Sequence, residues 1–229
     1  WIDEGAGTTP FRAGYNNGLQ DGTEVGVSGV RVQLWQDTDG TPGLQAGSDT
    51  LVRSTTTDAD GYYLFDWLQP GDNYYVRIPP WNFSEDGRPL RNFVSSFDAN
   101  QTTSPADDNE DTDDNGIDNP NPSANGIVSP QIEMSYNTEP LTPANETDIN
   151  TSGTYGPQNR GSFGQADSNS NLPMDFGFIR PPRSLGNYLW LDDNNNGQVD
   201  GGELPVPAGV RVSLYCGRAA KNRRRTGYL

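Results

Sequence analysis

Residues 192–203, DDNNNGQVDGGE, carry oxygen-bearing side chains at the spacing of a twelve-residue calcium loop. In such a loop alternate side chains supply hard oxygen ligands, a glycine at the sixth position permits a sharp turn, and a closing glutamate binds with both carboxylate oxygens. The pattern therefore predicts bound Ca²⁺. No amphipathic helix flanks the loop, so the spacing does not predict an EF-hand fold. The candidate ligands are Asp192, Asn194, Asn196, Gln198, Asp200 and Glu203.

This loop and the strand pattern after it have a counterpart near the start of the chain. Residues 16–24 read NNGLQDGTE where residues 195–203 read NNGQVDGGE, and GVRVQLW at 29–35 corresponds to GVRVSLY at 209–215. The run Trp-Ile-Asp at the start likewise corresponds to Trp-Leu-Asp at 190–192, with about ten extra residues before the rest of its loop. We expect a repeat array cut at both ends, with units beginning at Trp1 and near Leu185.

The first copy of the loop departs from the pattern. Ala13 and Tyr15 stand at its first and third ligand positions and offer no side-chain oxygen suited to the ion. The site must therefore borrow Asp3 or Glu4, or bind weakly. The candidate ligands of this loop are Asp3, Asn17, Asp21 and Glu24.

A third acidic run, DTDDNGID at 111–118, has half of the same pattern. Its twelfth position is Pro122, so a bidentate ligand would have to come from elsewhere. Metal binding and a disordered acidic tract are both open here. The candidate ligands are Asp111, Asp113, Asn115 and Asp118.

The 36–49 loop, which contains Asp37 and Asp39, fits either a calcium site or an ordinary Asp-Gly turn, because no glutamate closes it.

Composition excludes several classes of function. The net charge is −16, and the stretch from Arg91 to Arg160 contains twelve acids and no basic residue between its ends, which argues against nucleic acid as a partner. There is no histidine and one cysteine, Cys216, so an internal disulfide, a Cys/His metal site and a histidine-dependent nucleophile are all excluded. No apolar run is long enough to span a membrane. The chain begins at Trp1 without a signal peptide, and we expect it to be a fragment.

Short alternating segments between turn residues predict an all-β fold. Of 229 residues 31% are hydrophobic, with 27 glycines and 18 prolines. The alternation predicts strands at 27–35, 50–57, 62–67 and 73–78, and later strands at 126–134 and 172–179. This is the pattern of a β-sandwich. Residues 138–170 hold little apolar material and are expected to form a loose loop.

The order of several motifs resembles a known family. GVRVQL at 29–34, TDADGYYLF at 57–65 and LQPGDNYYV at 68–76 follow one another, with MDFGF at 174–178 and GNYLWLD at 186–192. Together they resemble the B domain of serine–aspartate repeat proteins, which belongs with the collagen-adhesin B-type, prealbumin-like modules. The acidic run at 107–118 is similar to a segment of environmental members.

The resemblance implies a prealbumin-like or Ig-like sandwich of about seven strands, used as a calcium-stiffened spacer in secreted or cell-surface bacterial adhesins. Residues 1–180 would be one complete B-type sandwich with an acidic, loop-rich insertion at 95–175. Residues 184–215 would begin a second repeat, and 216–229 would be an atypical basic tail. Neighbouring repeats of the same parent chain are the implied partners. Some members form a lysine–asparagine cross-link, but the only lysine, Lys221, lies outside the complete unit.

Two alternatives come from the aromatic and acidic residues. An extracellular module that binds a carbohydrate or protein ligand would expose a row of rings, for example Trp67 and Trp81, whereas core packing would bury them. A non-catalytic accessory domain of a secreted enzyme is the second alternative. Pairs of acids suited to glycoside hydrolysis can be chosen, but none has a context that separates it from a metal ligand or turn residue. We therefore predict no enzymatic activity.

Overall fold

The computed structural model describes residues 1–6, 13–97, 112–139, 164–181, 183 and 185–213. The chain divides into two compact units, Trp1–Pro182 and Arg183–Leu229. Within the described ranges, no helix has both the length and the apolar character needed to cross a membrane.

The first unit is built from short strands, which confirms the predicted all-β class. Its largest sheet has the order β4-β3-β5-β7, β8 also pairs with β5, and all these pairs are antiparallel. One short helix, α1 (Pro122–Asn125), precedes β7. The strands are β1 (Glu4–Ala6), β2 (Ala13–Tyr15), β3 (Arg31–Gln36), β4 (Thr50–Thr56), β5 (Asp72–Ile78), β6 (Val94–Ser95), β7 (Ile127–Val128), β8 (Ile132–Met134) and β9 (Phe178–Ile179).

The core lies between the large sheet and the β6–β9 pair. Alternate residues of β3, Val32 and Leu34, are buried, as are Val76 and Ile78 of β5. They form one apolar cluster with Phe83, Leu90, Phe93, Phe176 and Phe178. Burial of each such side chain contributes about 1.5–3 kcal/mol, so this cluster accounts for the two-layer arrangement.

Residues 62–66 differ from the strand predicted at 62–67, because they pair with no sheet. The Tyr63 hydroxyl donates to the Met174 carbonyl at 2.6 Å, and the Tyr63 ring packs edge-on against Phe65 at 5.8 Å. Arg53 of β4 donates to the Asp66 carboxylate at 3.1 Å and also to the Asp66 carbonyl. Side-chain contacts with two separate elements thus hold a segment for which alternation alone predicted a backbone ladder.

Part of the region predicted as an acidic insertion belongs to the main sheet. β7 and β8 both pair with β5, in the registers Arg77↔Val128 and Tyr74↔Ile132. Gly126 precedes β7 with φ 77°, and a Cβ there would lie 2.4 Å from the Ile78 carbonyl oxygen, so only glycine permits this approach. Most of the predicted loose loop at 138–170 lies outside the described residues.

A hairpin interrupts the first calcium-type loop. β1 and β2 pair with Glu4 opposite Tyr15, and this returns the chain to Asp3, whose carbonyl accepts a 3.4 Å bond from the Asn16 amide. Ahead of the hairpin, Ile2 forms a parallel bridge with Phe178 of β9. The β1–β2 pairing therefore brings Asp3 close to the rest of the first loop, although about ten residues separate them in the sequence.

The second unit contains fewer backbone pairings. Trp190 forms an isolated antiparallel bridge with Pro205. Residues 209–213 form no strand, and Val212 is 74% exposed whereas its counterpart Val32 is fully buried. The described residues of this unit include no counterpart of the β4 and β5 strands that flank β3 in the first unit. Residues 214–229, including the predicted basic tail, lie outside the described ranges.

Candidate metal-binding loops

The 192–203 loop is organised around two aspartates. Asp192 accepts a bond from the Asn196 amide at 3.1 Å on one carboxylate oxygen and from the Gly197 amide at 2.8 Å on the other. The Asp200 Oδ2 atom accepts bonds from the side-chain amides of Asn194 at 2.7 Å and Asn196 at 2.6 Å. These two donors lower the pKa of Asp200. The predicted ligand side chains therefore converge through direct contacts.

Glu203 closes the same loop. Its Oε2 atom accepts a bond from the Asp200 amide at 2.9 Å, while its Oε1 atom is buried without a hydrogen-bond partner. Gln198 contributes its backbone amide, which donates to the Asn196 Oδ1 atom at 2.7 Å. A carboxylate oxygen buried without a donor is costly, and a cation would satisfy it.

The first loop repeats this hydrogen-bond frame. The Gly18 amide donates to Asp3 Oδ2 at 2.9 Å, matching the bond from Gly197 to Asp192. The Asn17 side-chain amide donates to Asp21 at 3.1 Å, matching the bond from Asn196 to Asp200. In each loop the later aspartate amide also donates to the closing glutamate, at 3.2 Å in the bond from Asp21 to Glu24.

Asp3 therefore takes the structural place of Asp192, although the β1–β2 hairpin separates it from the rest of its loop. Of the two acids that the sequence offered for this place, Glu4 instead lies 3.6 Å from Arg180 in an ion pair. The Glu24 Oε1 atom accepts a 2.7 Å bond from the Gly5 amide, which ties the hairpin to the loop. Burial raises the pKa of Glu24.

Burial distinguishes the two loops. Asp3 is 0% exposed; its Oδ2 atom also accepts a bond from the Ser96 hydroxyl, and its Oδ1 atom has no partner. Asp192 is half-buried. Asn16 of the first loop also contacts the chain after β6, because its Oδ1 atom accepts a 2.7 Å bond from the Phe97 amide. The first loop is thus anchored to the sandwich through β6 and the residues that follow it.

The 112–118 part of the third acidic run lies beside the first loop. Leu19 forms an antiparallel bridge with Asp113, and the Asp114 amide donates to the Gly18 carbonyl at 2.9 Å. Asn115 exchanges two bonds with Asp175, one to its backbone carbonyl at 3.0 Å and one from its amide at 2.7 Å. Asp113 and Asn115 are buried and Asp118 is half-buried, so these residues do not form a disordered tract. The predicted ligand Asp111 lies outside the described residues.

Asp114 is a candidate that the sequence pattern missed. It is 1% exposed, its Oδ1 atom accepts a bond from the Gly116 amide at 2.9 Å, and its Oδ2 atom has no partner. Burial raises the pKa of Asp114 well above its ordinary value, and the neighbouring Asp118 raises it further. The alternating pattern selected Asp113 and Asn115 and passed over the residue between them. Its importance depends on contacts with remote backbone, which spacing does not reveal.

A separate acidic cluster lies in the hairpin loop between β3 and β4. Ligand atoms of Asp37, Asp39 and Asp49 lie within 4.8 Å of one another. Asp37 Oδ1 accepts a bond from the Gly40 amide at 2.7 Å, which is expected in an ordinary Asp-Gly turn. A bond from the Thr41 amide lowers the pKa of Asp39. The geometry fits both interpretations that the sequence left open.

Part of this chain is similar to a known domain family. Residues 7–102 match the family model of the SdrD B-like domain. This confirms the resemblance to the B domain of serine–aspartate repeat proteins. No solved structure matches this chain.

Curated relatives are much longer than this chain. Serine-aspartate repeat-containing protein D of Staphylococcus aureus (strain Newman) is 27% identical over 199 residues, which are 86% of this chain and 10% of that protein. Colossin-A of Dictyostelium discoideum is 29% identical over 177 residues, 77% of this chain and 1% of that protein. Colossin-B of the same organism is 42% identical over 65 residues, 28% of this chain and 2% of that protein. The chain thus spans a tenth or less of each relative.

Proposed function

We propose that this chain, whose residues 7–102 match an SdrD B-like domain, is a non-catalytic, calcium-stabilised structural module of a secreted or cell-surface, adhesin-like repeat protein. The observation that carries the proposal is a feature common to the two calcium-type loops. Two loops with the same hydrogen-bond frame each contain a buried carboxylate oxygen without a partner, on Asp3 in one and on Glu203 in the other. Neighbouring repeats of the same parent chain are its expected partners.

The donor set suits calcium. The side chains that converge in these loops offer carboxylate and amide oxygens, which are hard ligands, and the chain has no histidine. Bound Ca²⁺ would satisfy the buried carboxylate oxygens of Asp3, Asp114 and Glu203 that accept no hydrogen bond. Extracellular modules of this kind bind calcium with dissociation constants on the order of 10⁻⁴–10⁻³ M.

The structural role of the ion follows from what the first loop connects. Asp3 is held by Gly18 on one side and by Ser96 on the other, and Gly18 in turn accepts a bond from Asp114. One site would therefore join the start of the unit, the loop before β3 and the end of β6. A ligand that binds only the folded state stabilises it by mass action, by about 2.7 kcal/mol at one hundred times its dissociation constant.

Thermal unfolding of the full chain in EDTA and in millimolar calcium tests the proposal. We expect calcium to raise the melting temperature of the wild type. Asp3→Asn should reduce this gain, because it removes the buried charge while keeping a similar shape. The double variant Asp192→Ala, Glu203→Ala should leave the gain of the first unit intact, since its loop belongs to the second unit.

Magnesium is the matched control for this experiment. It requires near-octahedral geometry and gives up its water reluctantly, so it should not reproduce the effect of calcium. If calcium leaves the melting temperature of the wild type unchanged, the loops are ordinary Asn-Gly and Asp-Gly turns and the proposal is wrong.

A further inference from the structure

A cavity of about 630 Å³ lies in the first unit beside the 62–68 segment. Its volume falls within the range of about 300–1,000 Å³ that small-ligand sites occupy. Apolar side chains of the main sheet line part of it, among them Leu34, Val76, Ile132 and Met134. Tyr63 and Met174 also line the cavity. The hydrogen bond from the Tyr63 hydroxyl to the Met174 carbonyl connects the 62–68 segment to the chain ahead of β9.

Three of the residues that line this cavity are exposed aromatic residues. Trp67 is 70% exposed, Tyr136 is 71% exposed and Tyr62 is 46% exposed. Single exposed rings are common on protein surfaces, but rings gathered around one concave site are typical of ligand binding. The set therefore forms a candidate stacking platform.

Trp67 is held in a costly backbone conformation. Its φ of 56° lies in the left-handed region, which bulky residues rarely adopt. Arg53 binds both the carboxylate and the carbonyl of the preceding residue, Asp66, and the Gln69 amide two residues later donates to the Tyr74 hydroxyl at 3.1 Å. Such strain persists only where the surroundings enforce it, and it concentrates at ligand sites. The chain on both sides of Trp67 thus presents the ring in one position.

Trp81, the other tryptophan considered for stacking, is differently placed. The Arg88 guanidinium lies 3.8 Å from the centre of its ring and that of Arg31 lies at 5.5 Å. Trp81 does not line the cavity. Cation–π contacts account for its position, so it serves as an internal control.

The polar lining defines the class of ligand. The polar residues Gln165, Asn169, Asp60, Asp66 and Asp175 are among those that line the cavity, whereas no lysine or arginine is among the described lining residues. An anionic ligand would meet like charge there. Aromatic rings together with amide and carboxylate groups suit a ring that has apolar C–H faces and a rim of hydroxyls. We propose that this cavity binds one end of a neutral oligosaccharide, with Trp67 and Tyr136 stacking against the sugar.

Isothermal titration of the full chain with cellohexaose, maltohexaose and chitohexaose tests this inference. We expect at least one of these neutral oligosaccharides to bind. Trp67→Gly should weaken that binding by about tenfold or more, because it removes the main stacking ring. The same substitution relieves the positive φ, so the melting temperature should stay equal or rise. Loss of binding without loss of stability separates the site from a folding effect.

Further variants and probes complete the test. Tyr136→Ala should also weaken binding, and its exposed position keeps it informative even if Trp67→Gly impairs folding. Trp81→Ala should leave the affinity unchanged. The inference is overturned if none of the three oligosaccharides binds at millimolar concentration, or if Trp67→Gly and Tyr136→Ala both bind like the wild type. Binding of only a heparin hexasaccharide or only a proline-rich peptide would equally overturn it.

Discussion

Asp3 and Asp114 place carboxylates where water does not reach them, and each has one oxygen without a hydrogen-bond partner. A buried charge without a counter-charge destabilises the folded state unless it is protonated or paired with a cation. In the absence of metal, burial of the Asp114 charge therefore opposes folding, in accord with its raised pKa. Substitution of each carboxylate or of its contacts has a definite expected sign.

Asp114→Asn should raise the unfolding free energy in EDTA at pH 7 by about 1–3 kcal/mol. The melting temperature of the variant should therefore be higher than that of the wild type. Burial and Asp118 raise the folded-state pKa of Asp114, while bonds from the Gly116 and Gly177 amides and the positive charge of the Trp1 ammonium oppose the shift. With a raised pKa, the stabilising contribution is fully present below the ordinary value and is lost as pH rises through the folded-state value. The variant's advantage should therefore shrink as pH falls from 7 towards 4. Equal melting temperatures at every pH would contradict this.

Two adjacent serines provide a matched pair at the same scale. The Ser96 hydroxyl donates to Asp3, whereas the buried Ser95 hydroxyl has no partner. Ser96→Ala should cost about 1–2 kcal/mol of unfolding free energy, because it leaves the Asp3 carboxylate with one donor fewer. Ser95→Ala should be neutral or slightly stabilising. Urea denaturation of both variants in EDTA measures the difference, and a larger loss for Ser95→Ala would be the contrary result.

Residues whose contacts are local could be predicted from sequence, and those with remote contacts could not. Asp192 and Glu203 act within one continuous loop, so their spacing carries the information. The internal repeat also made Asp3 a candidate, because Trp1-Ile-Asp3 corresponds to the run that contains Asp192. Asp114 has no such signal. Its burial depends on the Gly18 carbonyl and on the backbone that packs around it from distant parts of the chain.

At the scale of the elements, two glycines fix the approach between the loop before β3 and the turn after β4. A Cβ on Gly26 would lie 1.7 Å from the Asp60 carbonyl oxygen, and one on Gly61 would lie 2.6 Å from the Gly26 Cα atom. The two backbones therefore touch directly. This contact fixes the start of the 62–66 segment, the segment that alternation alone assigned to a strand.

Gly26→Ala should destabilise the first unit by about 2–4 kcal/mol, since backbone must move to admit the methyl group. Gly47→Ala is the matched control, because nothing lies within 4 Å of its added Cβ. Chemical denaturation of the two variants gives the comparison. A Gly26→Ala protein as stable as Gly47→Ala would show that the close approach is not maintained in solution.

The strands that form around strong apolar alternation could be predicted, and those that depend on a partner could not. The 27–35 and 73–78 patterns correspond to β3 and β5, which neighbour each other at the centre of the sheet. The same pattern at 209–213 forms no strand, because a strand is stabilised by pairing and burial as much as by its own residues.

At the scale of the whole molecule, the two copies of the repeat lie in different environments. Val32→Ala should cost about 1–3 kcal/mol, because it empties a fully buried position, whereas Val212→Ala should change the stability by less than about 0.5 kcal/mol. Calorimetry of both variants checks this contrast. Similar losses for the two would show that Val212 is buried in solution.

The pairing of Ile2 with Phe178 has a mechanical consequence. The Asp3 amide donates to the Phe178 carbonyl, and the Phe178 amide donates to the Trp1 carbonyl, each at 2.9 Å. Because this bridge is parallel, a pull on the start of the unit and an opposite pull on its end would slide the two segments along each other. Bonds perpendicular to a load must then break together and not one after another. We expect a unit closed in this way to resist tension along the chain, and calcium bound at Asp3, if our proposal is correct, would raise the force that the unit withstands.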